Sequence, residues 1–112
     1  MSARDDVLIL GGNGQVGSAL LTMLEAAGRP VRASTRSGTL PDGRPCARAD
    51  LAEPGSVAGL VASMRPAIVI NATAHTAVDR AESEPDLAHR INAEAVAELG
   101  ETAKRVGARV VH

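Results

Sequence analysis

The feature that most constrains the fold is a glycine-rich stretch, residues 11–17, that reads Gly-Gly-Asn-Gly-Gln-Val-Gly. It directly follows the short apolar run Val7–Leu10 and directly precedes an amphipathic helical pattern. The spacing Gly12-x-Gly14-x-x-Gly17 lets backbone amides approach a pyrophosphate at a helix N-terminus. A strand, this spacing and a helix rarely coincide, so a dinucleotide-binding loop is favoured over a connector without a ligand. The predicted contacts are Gly11, Asn13, Gly14, Gln15, Val16 and Gly17.

Short apolar runs alternate with helical patterns along the rest of the chain. Strands are predicted at residues 7–10, 31–35, 45–49, 67–70 and from 110 onward, with helices after the glycine loop, near residues 54–64 and at about 85–106. The turn residues of 36–44 predict a surface loop. The first helix is expected to bury Val16, Leu20, Met23, Leu24 and Ala27. This order predicts an α/β fold, a Rossmann-type doubly wound parallel sheet of about five strands in the order 3-2-1-4-5.

Composition limits the size and the partners of the domain. The 112 residues are 45% hydrophobic, which suits one domain, and the formal net charge is −1. Neither nucleic acid nor a membrane surface is therefore an expected partner, and the absence of aromatic residues removes base-stacking platforms. The single cysteine, Cys46, cannot form an internal disulfide, and a cytoplasmic location is expected. The three histidines and Cys46 share no metal-ligand spacing, so no metal is expected.

The end of the second strand is where the cofactor preference of such a loop is set. An acid about 20 residues past the loop binds the ribose hydroxyls of NAD, but Ser34-Thr35-Arg36-Ser37 stands there instead. Arg36 can donate two hydrogen bonds to a 2′-phosphate, and Ser34 adds a hydroxyl. NADPH is therefore the predicted cofactor, with NADH as the second choice. The alternative is that Arg36 is an ordinary solvated loop residue.

Two further polar residues and one segment of small residues can be interpreted functionally or structurally. Asp50 is placed to accept a hydrogen bond from the adenine amino group while Leu51 packs on the ring, but it could equally cap the helix entered near Pro54. The small residues of 71–76 allow the backbone to pass close to a ligand. Asn92 lies on an apolar stripe, where an amide normally bonds backbone, and a structural tether is its favoured role.

Three stretches together carry a resemblance to a known family. They are the loop with Gln15-Val16-Gly17, residues 65–82 (Arg-Pro-Ala-Ile-Val-Ile-Asn-Ala-Thr-Ala-His-Thr-Ala-Val-Asp-Arg-Ala-Glu) and Ile91-Asn92-Ala93. The chain closely resembles the dTDP-4-dehydrorhamnose reductases, which are extended short-chain dehydrogenases/reductases. By position, the resemblance implies contacts of Gly14, Gln15 and Val16 with the pyrophosphate, of Asp50 and Leu51 with the adenine, and of Ala74, His75 and Thr76 near the nicotinamide ribose.

The resemblance implies NADPH-dependent reduction of dTDP-4-dehydro-rhamnose to dTDP-rhamnose. The family's Tyr-x-x-x-Lys pair, which protonates the carbonyl, has no counterpart here, because the sequence contains no tyrosine and Lys104 is its one lysine. We therefore expect residues 1–112 to be the cofactor-binding part of a longer reductase or a truncated product, inactive alone and prone to self-association. The nucleotide-sugar would bind only a full-length parent. The alternatives are a non-catalytic nucleotide-binding regulatory subunit and another sugar-nucleotide epimerase or dehydratase.

Overall fold

The computed structural model describes residues 6–73 and 93–111. Its elements are, in chain order, β1 (Val7–Leu10), α1 (Gln15–Ala26), β2 (Val31–Thr35), β3 (Ala47–Arg48), α2 (Ser56–Met64), β4 (Ile68–Asn71), α3 (Ala95–Val106) and β5 (Arg109–Val111). The five strands pair in parallel, in the order β3-β2-β1-β4-β5. This arrangement confirms the predicted doubly wound sheet and its strand order.

The central strand is β1, and its register determines where its neighbours end. Leu10, the last residue of β1, lies beside Ser34 of β2 on one side and Asn71 of β4 on the other. The carboxyl ends of these three strands therefore lie in one row. The chain leaves β1 toward β2 and reaches β4 on the opposite side, so this row contains the switch point at which open α/β sheets bind ligands.

Apolar side chains cover both faces of the sheet. Leu8, Leu10 and Val69 pack in the layer that contains α2 and α3, whereas Val7 and Ile9 pack in the layer that contains α1. Every residue of β1 is buried, as expected for a parallel strand covered on both faces. Burying side chains of this size stabilises the fold by about 1.5–3 kcal/mol each, so β1 is the rigid support of the glycine loop that follows it.

The apolar face predicted for α1 is wrong for three of its five members. Val16 and Met23 are 61% and 65% exposed and Ala27 is also exposed, whereas Leu21, outside the predicted stripe, is buried. The cause is a close approach between Gly17 and the carbonyl of Gly11, which sets the rotation of the helix on the sheet. Helical spacing alone permits either of two adjacent stripes, and it contains no information about this contact.

The boundaries of β3 and α2 also differ from the prediction. The predicted strand over 45–49 is shorter, because Pro45 forms an isolated antiparallel bridge with Thr39 instead of joining β3. Pro54 does not lie in the first turn of α2. The N-cap of that helix is Gly55, whose φ of 80° is left-handed and separates Pro54 from the helix.

The segment 36–44 is a loop, as predicted, but one of its residues belongs to the core. Leu40 is buried and packs in the layer of α1. The Leu40 amide donates to the carbonyl of Arg44 at 2.9 Å, and the Cys46 amide donates to the carbonyl of Gly38 at 2.9 Å. These bonds fold the loop back on itself, so that it packs beside the glycine loop.

The last helix, α3, has one buried face. Its buried residues are Ala95, Leu99, Thr102 and Ala103. The helix ends at Gly107, which has a left-handed φ of 78° and forms the C-cap, as the sequence predicted. The predicted start near Pro85 lies outside the described residues, as do Asn92 and the segment Ala74-His75-Thr76.

Candidate functional site

The glycine loop at the carboxyl end of β1 is tied to the neighbouring strand. The Gly11 and Gly12 amides both donate to the carbonyl of Ser34, at 3.0 and 2.9 Å. The Gly14 amide donates to the carbonyl of Gly11 at 3.2 Å and closes a turn just before α1. The loop is thus held in one shape by hydrogen bonds from its own backbone.

Three of the four glycines are required by the fold itself. Gly11 has a left-handed φ of 85°. A Cβ on Gly12 would lie 2.7 Å from the Cβ of Ala33, and a Cβ on Gly17 would collide with the Gly11 carbonyl. Carbon atoms in contact prefer a separation of about 3.5–4.0 Å. A larger residue at any of the three positions would therefore distort the loop or lift α1 from the sheet.

Gly14 is different, because the fold does not require a glycine there. Its φ and ψ of −82° and 171° are accessible to any residue. A Cβ on Gly14 would make only ordinary contacts, at 3.6 Å from the Gly11 carbonyl oxygen and 3.9 Å from that of Ala72. Gly14 is the N-cap of α1, where a side chain normally lies against the first-turn amides. The missing side chain leaves that space open.

The first turn of α1 provides hydrogen-bond donors. Among residues 6–73 and 93–111, no acceptor is found for the backbone amides of Gln15, Val16 and Gly17. α1 has no side-chain cap and no acidic residue in its first turn. Unpaired first-turn amides carry the positive end of the helix dipole and bind anions readily. Asn13, at the tip of the loop, is exposed beside them.

The end of β4 lies against the same loop. Ala72 and Thr73 are the nearest neighbours of Gly11: a Cβ there would lie 3.1 Å from the Ala72 carbonyl oxygen and from Thr73 Cγ2. The Asn71 carboxamide oxygen accepts hydrogen bonds from the Thr73 amide at 3.2 Å and from its hydroxyl at 2.6 Å. These bonds shape the wall of the crevice between β1 and β4. The chain then enters residues 74–76, which lie outside the described part.

The end of β2 presents one exposed cation. Arg36 is exposed, and its guanidinium has no hydrogen-bond or ion-pair partner within the described ranges. Ser34 is only 1% exposed, and its carbonyl holds the glycine loop. Of the two residues predicted to contact a 2′-phosphate, Arg36 is thus accessible and Ser34 is buried in this conformation.

Asp50 forms a local turn rather than a helix cap. Its carboxylate oxygen accepts a hydrogen bond from the Ala52 amide at 3.0 Å, and its own amide donates to the Ser56 hydroxyl at 2.9 Å. The N-cap of α2 is Gly55, so the predicted capping role of Asp50 is wrong in detail. Leu51 is buried in the layer of α2 and α3. The adenine contacts of Asp50 and Leu51 remain predictions.

The described ranges contain neither a metal-ligand cluster nor a membrane-spanning helix. In residues 6–73 and 93–111, no group of three or more His, Cys, Asp or Glu side chains could hold a metal ion. Within the same residues, no helix has the length and apolar character needed to span a bilayer.

Comparison with known families decides which group the chain belongs to. The model of the RmlD substrate binding domain family matches residues 5–112. The chain belongs to this family. It is 41% identical over 107 residues to the dTDP-4-dehydrorhamnose reductase of Escherichia coli K12, a match that covers 96% of the chain and 33% of that protein. The chain thus spans about a third of the length of this relative.

Solved structures show the same fold. The dTDP-4-dehydrorhamnose reductase of Bacillus anthracis, in complex with NADP, has a TM-score of 0.73 and 30% identity, covering 96% of this chain and 35% of that one. The UDP-glucose 4-epimerase of Thermus thermophilus, in complex with NAD, also has a TM-score of 0.73, at 28% identity, covering 91% of this chain and 34% of that one.

Proposed function

We propose that this chain is the cofactor-binding part of a dTDP-4-dehydrorhamnose reductase and binds NADPH with its pyrophosphate on the first turn of α1. The proposal rests on Gly14 and on the unpaired backbone amides beside it. Gly14 is a glycine that the fold does not require, and it leaves space over the amides of Gln15, Val16 and Gly17. Unpaired backbone amides that no side chain covers are suited to binding a pyrophosphate.

The preference for NADPH over NADH rests on the end of β2. No carboxylate occupies the position of Ser34, where it would bind ribose hydroxyls and repel a 2′-phosphate. Arg36 follows that strand, is exposed, and its guanidinium has no ion-pair partner among the residues described. A guanidinium in this position can bind a phosphate through two hydrogen bonds. The NADP complex of the Bacillus anthracis reductase agrees with this preference.

The proposed roles of the remaining residues are to orient the cofactor. Asp50 and Leu51 contact the adenine, and Ala74, His75 and Thr76 lie near the nicotinamide ribose, as the resemblance implies. When bound, the cofactor supplies a hydride to the sugar carbonyl. The 112 residues contain no tyrosine to protonate that carbonyl, so we expect this chain to bind the cofactor without turnover. We also expect a cytoplasmic protein whose partners are small molecules.

Substitution of Gly14 tests the proposal. Gly14→Ala places a methyl group over the first-turn amides, so its dissociation constant for NADPH, measured by isothermal titration calorimetry, should rise at least about tenfold. Its unfolding free energy should fall by no more than about 1 kcal/mol, because alanine is a poorer N-cap than glycine but its methyl group makes only ordinary contacts. Unchanged NADPH affinity would refute the proposed site.

Gly59→Ala is the matched control for this experiment. Gly59 lies on α2, and a Cβ there meets nothing within 4 Å. The control should bind NADPH like the wild type. Its unfolding midpoint should be slightly higher, because alanine favours a helix by about 1 kcal/mol over glycine. A similar loss of affinity in both variants would mean that the Gly14 effect is not local.

A sugar-nucleotide epimerase is the second candidate. The observation that favours it is the similarity to the Thermus thermophilus UDP-glucose 4-epimerase, which is in complex with NAD. The two candidates differ in the expected cofactor. Tighter binding of NADPH than of NADH supports the reductase, whereas the reverse order supports the epimerase and contradicts the role proposed for Arg36.

A further inference from the structure

The hydroxyl of Thr35 is the centre of a buried hydrogen-bond cluster at the end of β2. It accepts hydrogen bonds from the Gly38 amide at 2.9 Å and from the Thr39 amide at 3.1 Å. It also lies 3.1 Å from the Thr39 carbonyl oxygen, to which it can donate. Two acceptances and one donation use the full capacity of a hydroxyl. Because Thr35 is only 2% exposed, this hydroxyl does not face a ligand.

The cluster closes the backbone around the exposed arginine. The bond from the Gly38 amide to Thr35 Oγ1 bridges a segment in which only Arg36 and Ser37 lie between the two ends. The far end of the turn is held as well, because the Gly38 carbonyl accepts a hydrogen bond from the Cys46 amide at 2.9 Å. Arg36 therefore projects from a turn that is fixed at both ends.

The strand itself is held by other bonds. The Thr35 carbonyl accepts a hydrogen bond from the Ala49 amide at 3.0 Å, and Thr35 pairs with Arg48 in the sheet. Loss of the hydroxyl would therefore release the turn at its Thr35 end, leave the bond from the Cys46 amide to Gly38, and leave β2 in place. The glycine loop, which is attached through the carbonyl of Ser34, would also remain in place.

We propose that Thr35 is a positioning residue for recognition of the adenosine 2′-phosphate: its hydroxyl folds residues 36–39 so that Arg36 is held at the carboxyl end of β2. This inference rests on the proposed preference for NADPH. It assigns part of the discrimination between the two cofactors to a side chain that touches neither of them. The guanidinium supplies the charge, and the hydroxyl beneath it supplies the geometry.

The test compares 2′,5′-ADP with 5′-AMP, two probes that differ only in the 2′-phosphate. In titration calorimetry, Thr35→Val should raise the dissociation constant for 2′,5′-ADP about tenfold, because the Gly38 amide loses its acceptor and the Thr39 amide keeps only the longer bond to the Ser37 hydroxyl, at 3.3 Å. The constant for 5′-AMP should change by less than about twofold. Thr35→Ser keeps the hydroxyl and should retain the wild-type ratio of the two constants. Equal losses for both probes, or a Thr35→Ser ratio like that of Thr35→Val, would overturn the proposal.

Two controls make the result specific. Thr22→Val removes a hydroxyl that donates to the Ser18 carbonyl at 3.0 Å on the exposed side of α1, and it should leave both constants unchanged. Arg36→Ala tests the proposed NADPH preference directly. An unchanged ratio in Arg36→Ala refutes that preference, whereas a collapsed ratio in Arg36→Ala with a normal ratio in Thr35→Val refutes only the positioning role.

Amide hydrogen exchange provides a test that needs no folded valine variant. In the wild type, the Gly38 and Thr39 amides should exchange slowly, at rates close to those of neighbouring amides paired in β2. Thr35→Ser should preserve this protection. Rapid exchange of both amides in the wild type would show that the hydroxyl does not hold the turn, and it would overturn the proposal.

Discussion

Gly12→Ala is the substitution whose cost follows most directly from the structure. Gly12 does not have a positive φ, so alanine can adopt its backbone conformation. The cost is therefore steric: the new Cβ would lie 2.7 Å from the Cβ of Ala33 and 3.3 Å from Leu40 Cδ2. The first distance is about 1 Å shorter than an ordinary contact between carbon atoms. Overpacking of this kind costs about 2 kcal/mol of unfolding free energy.

The same geometry predicts a rescue. Ala33→Gly alone should cost about 1.5 kcal/mol, from a lost buried methyl group and a glycine in a strand. It also removes the atom with which the new Cβ on residue 12 collides. The double variant should therefore be about as stable as Ala33→Gly alone, instead of losing the sum of about 3.5 kcal/mol. The two substitutions must be strongly non-additive.

Urea unfolding followed by far-ultraviolet circular dichroism measures this cycle. The chain has no aromatic residue, so intrinsic fluorescence cannot report its unfolding. Costs that add to within about 0.5 kcal/mol would refute the reasoning, because they would mean that the two side chains do not meet. A stable Gly12→Ala variant would refute it as well.

Two further predictions concern the surface. Arg65 is the C-cap of α2 and has a left-handed φ of 48°. Arg65→Gly should therefore stabilise the chain by about 0.5–1 kcal/mol in urea unfolding. No gain in stability would mean that the left-handed backbone of Arg65 is not strained. The Arg44 backbone amide, followed by its guanidinium, holds the pKa of Asp42 below its ordinary 3.8. A lowered pKa stabilises the folded state above the ordinary value and loses that contribution as the pH falls through the folded value. As the pH falls from roughly 5 to 3, Asp42→Asn should therefore lose less unfolding free energy than the wild type. If the unfolding free energies of the two proteins fell in parallel, that would contradict a stabilising contact between Asp42 and Arg44.

The strands could be predicted because their signal is local, and their order because right-handed crossovers in a doubly wound fold allow few arrangements. Val7–Leu10 is apolar at every position and is buried on both sides, and β2 has the predicted bounds of Val31–Thr35. A run of this kind predicts a parallel strand wherever it lies in a chain. The end of α3 at Gly107 was predictable for the same reason, since a left-handed C-cap favours glycine.

The rotation of α1 on the sheet and the burial of Leu40 could not be predicted from the sequence. The exposure of Val16 and the burial of Leu21 depend on how closely Gly17 approaches Gly11. The burial of Leu40 depends on a loop that folds back across the sheet. Both features depend on tertiary contacts, and the hydrophobic periodicity of a single segment contains no information about such contacts. The hydrogen bonds of the Thr35 hydroxyl could not be predicted from the sequence, because only the folded turn brings its partners together.

The sequence by itself determined that this chain has a glycine loop between a buried strand and a helix, and it determined the family to which the chain belongs. Those features lie in residue type and spacing, which are local. Only the tertiary structure decided what each glycine is for. Gly12 and Gly17 lack side chains because Ala33 and the Gly11 carbonyl occupy the space, whereas Gly14 lacks one although the space is open. That difference arises from atoms brought close by folding, and it separates the glycines that the fold requires from the one beside which we propose that the pyrophosphate binds.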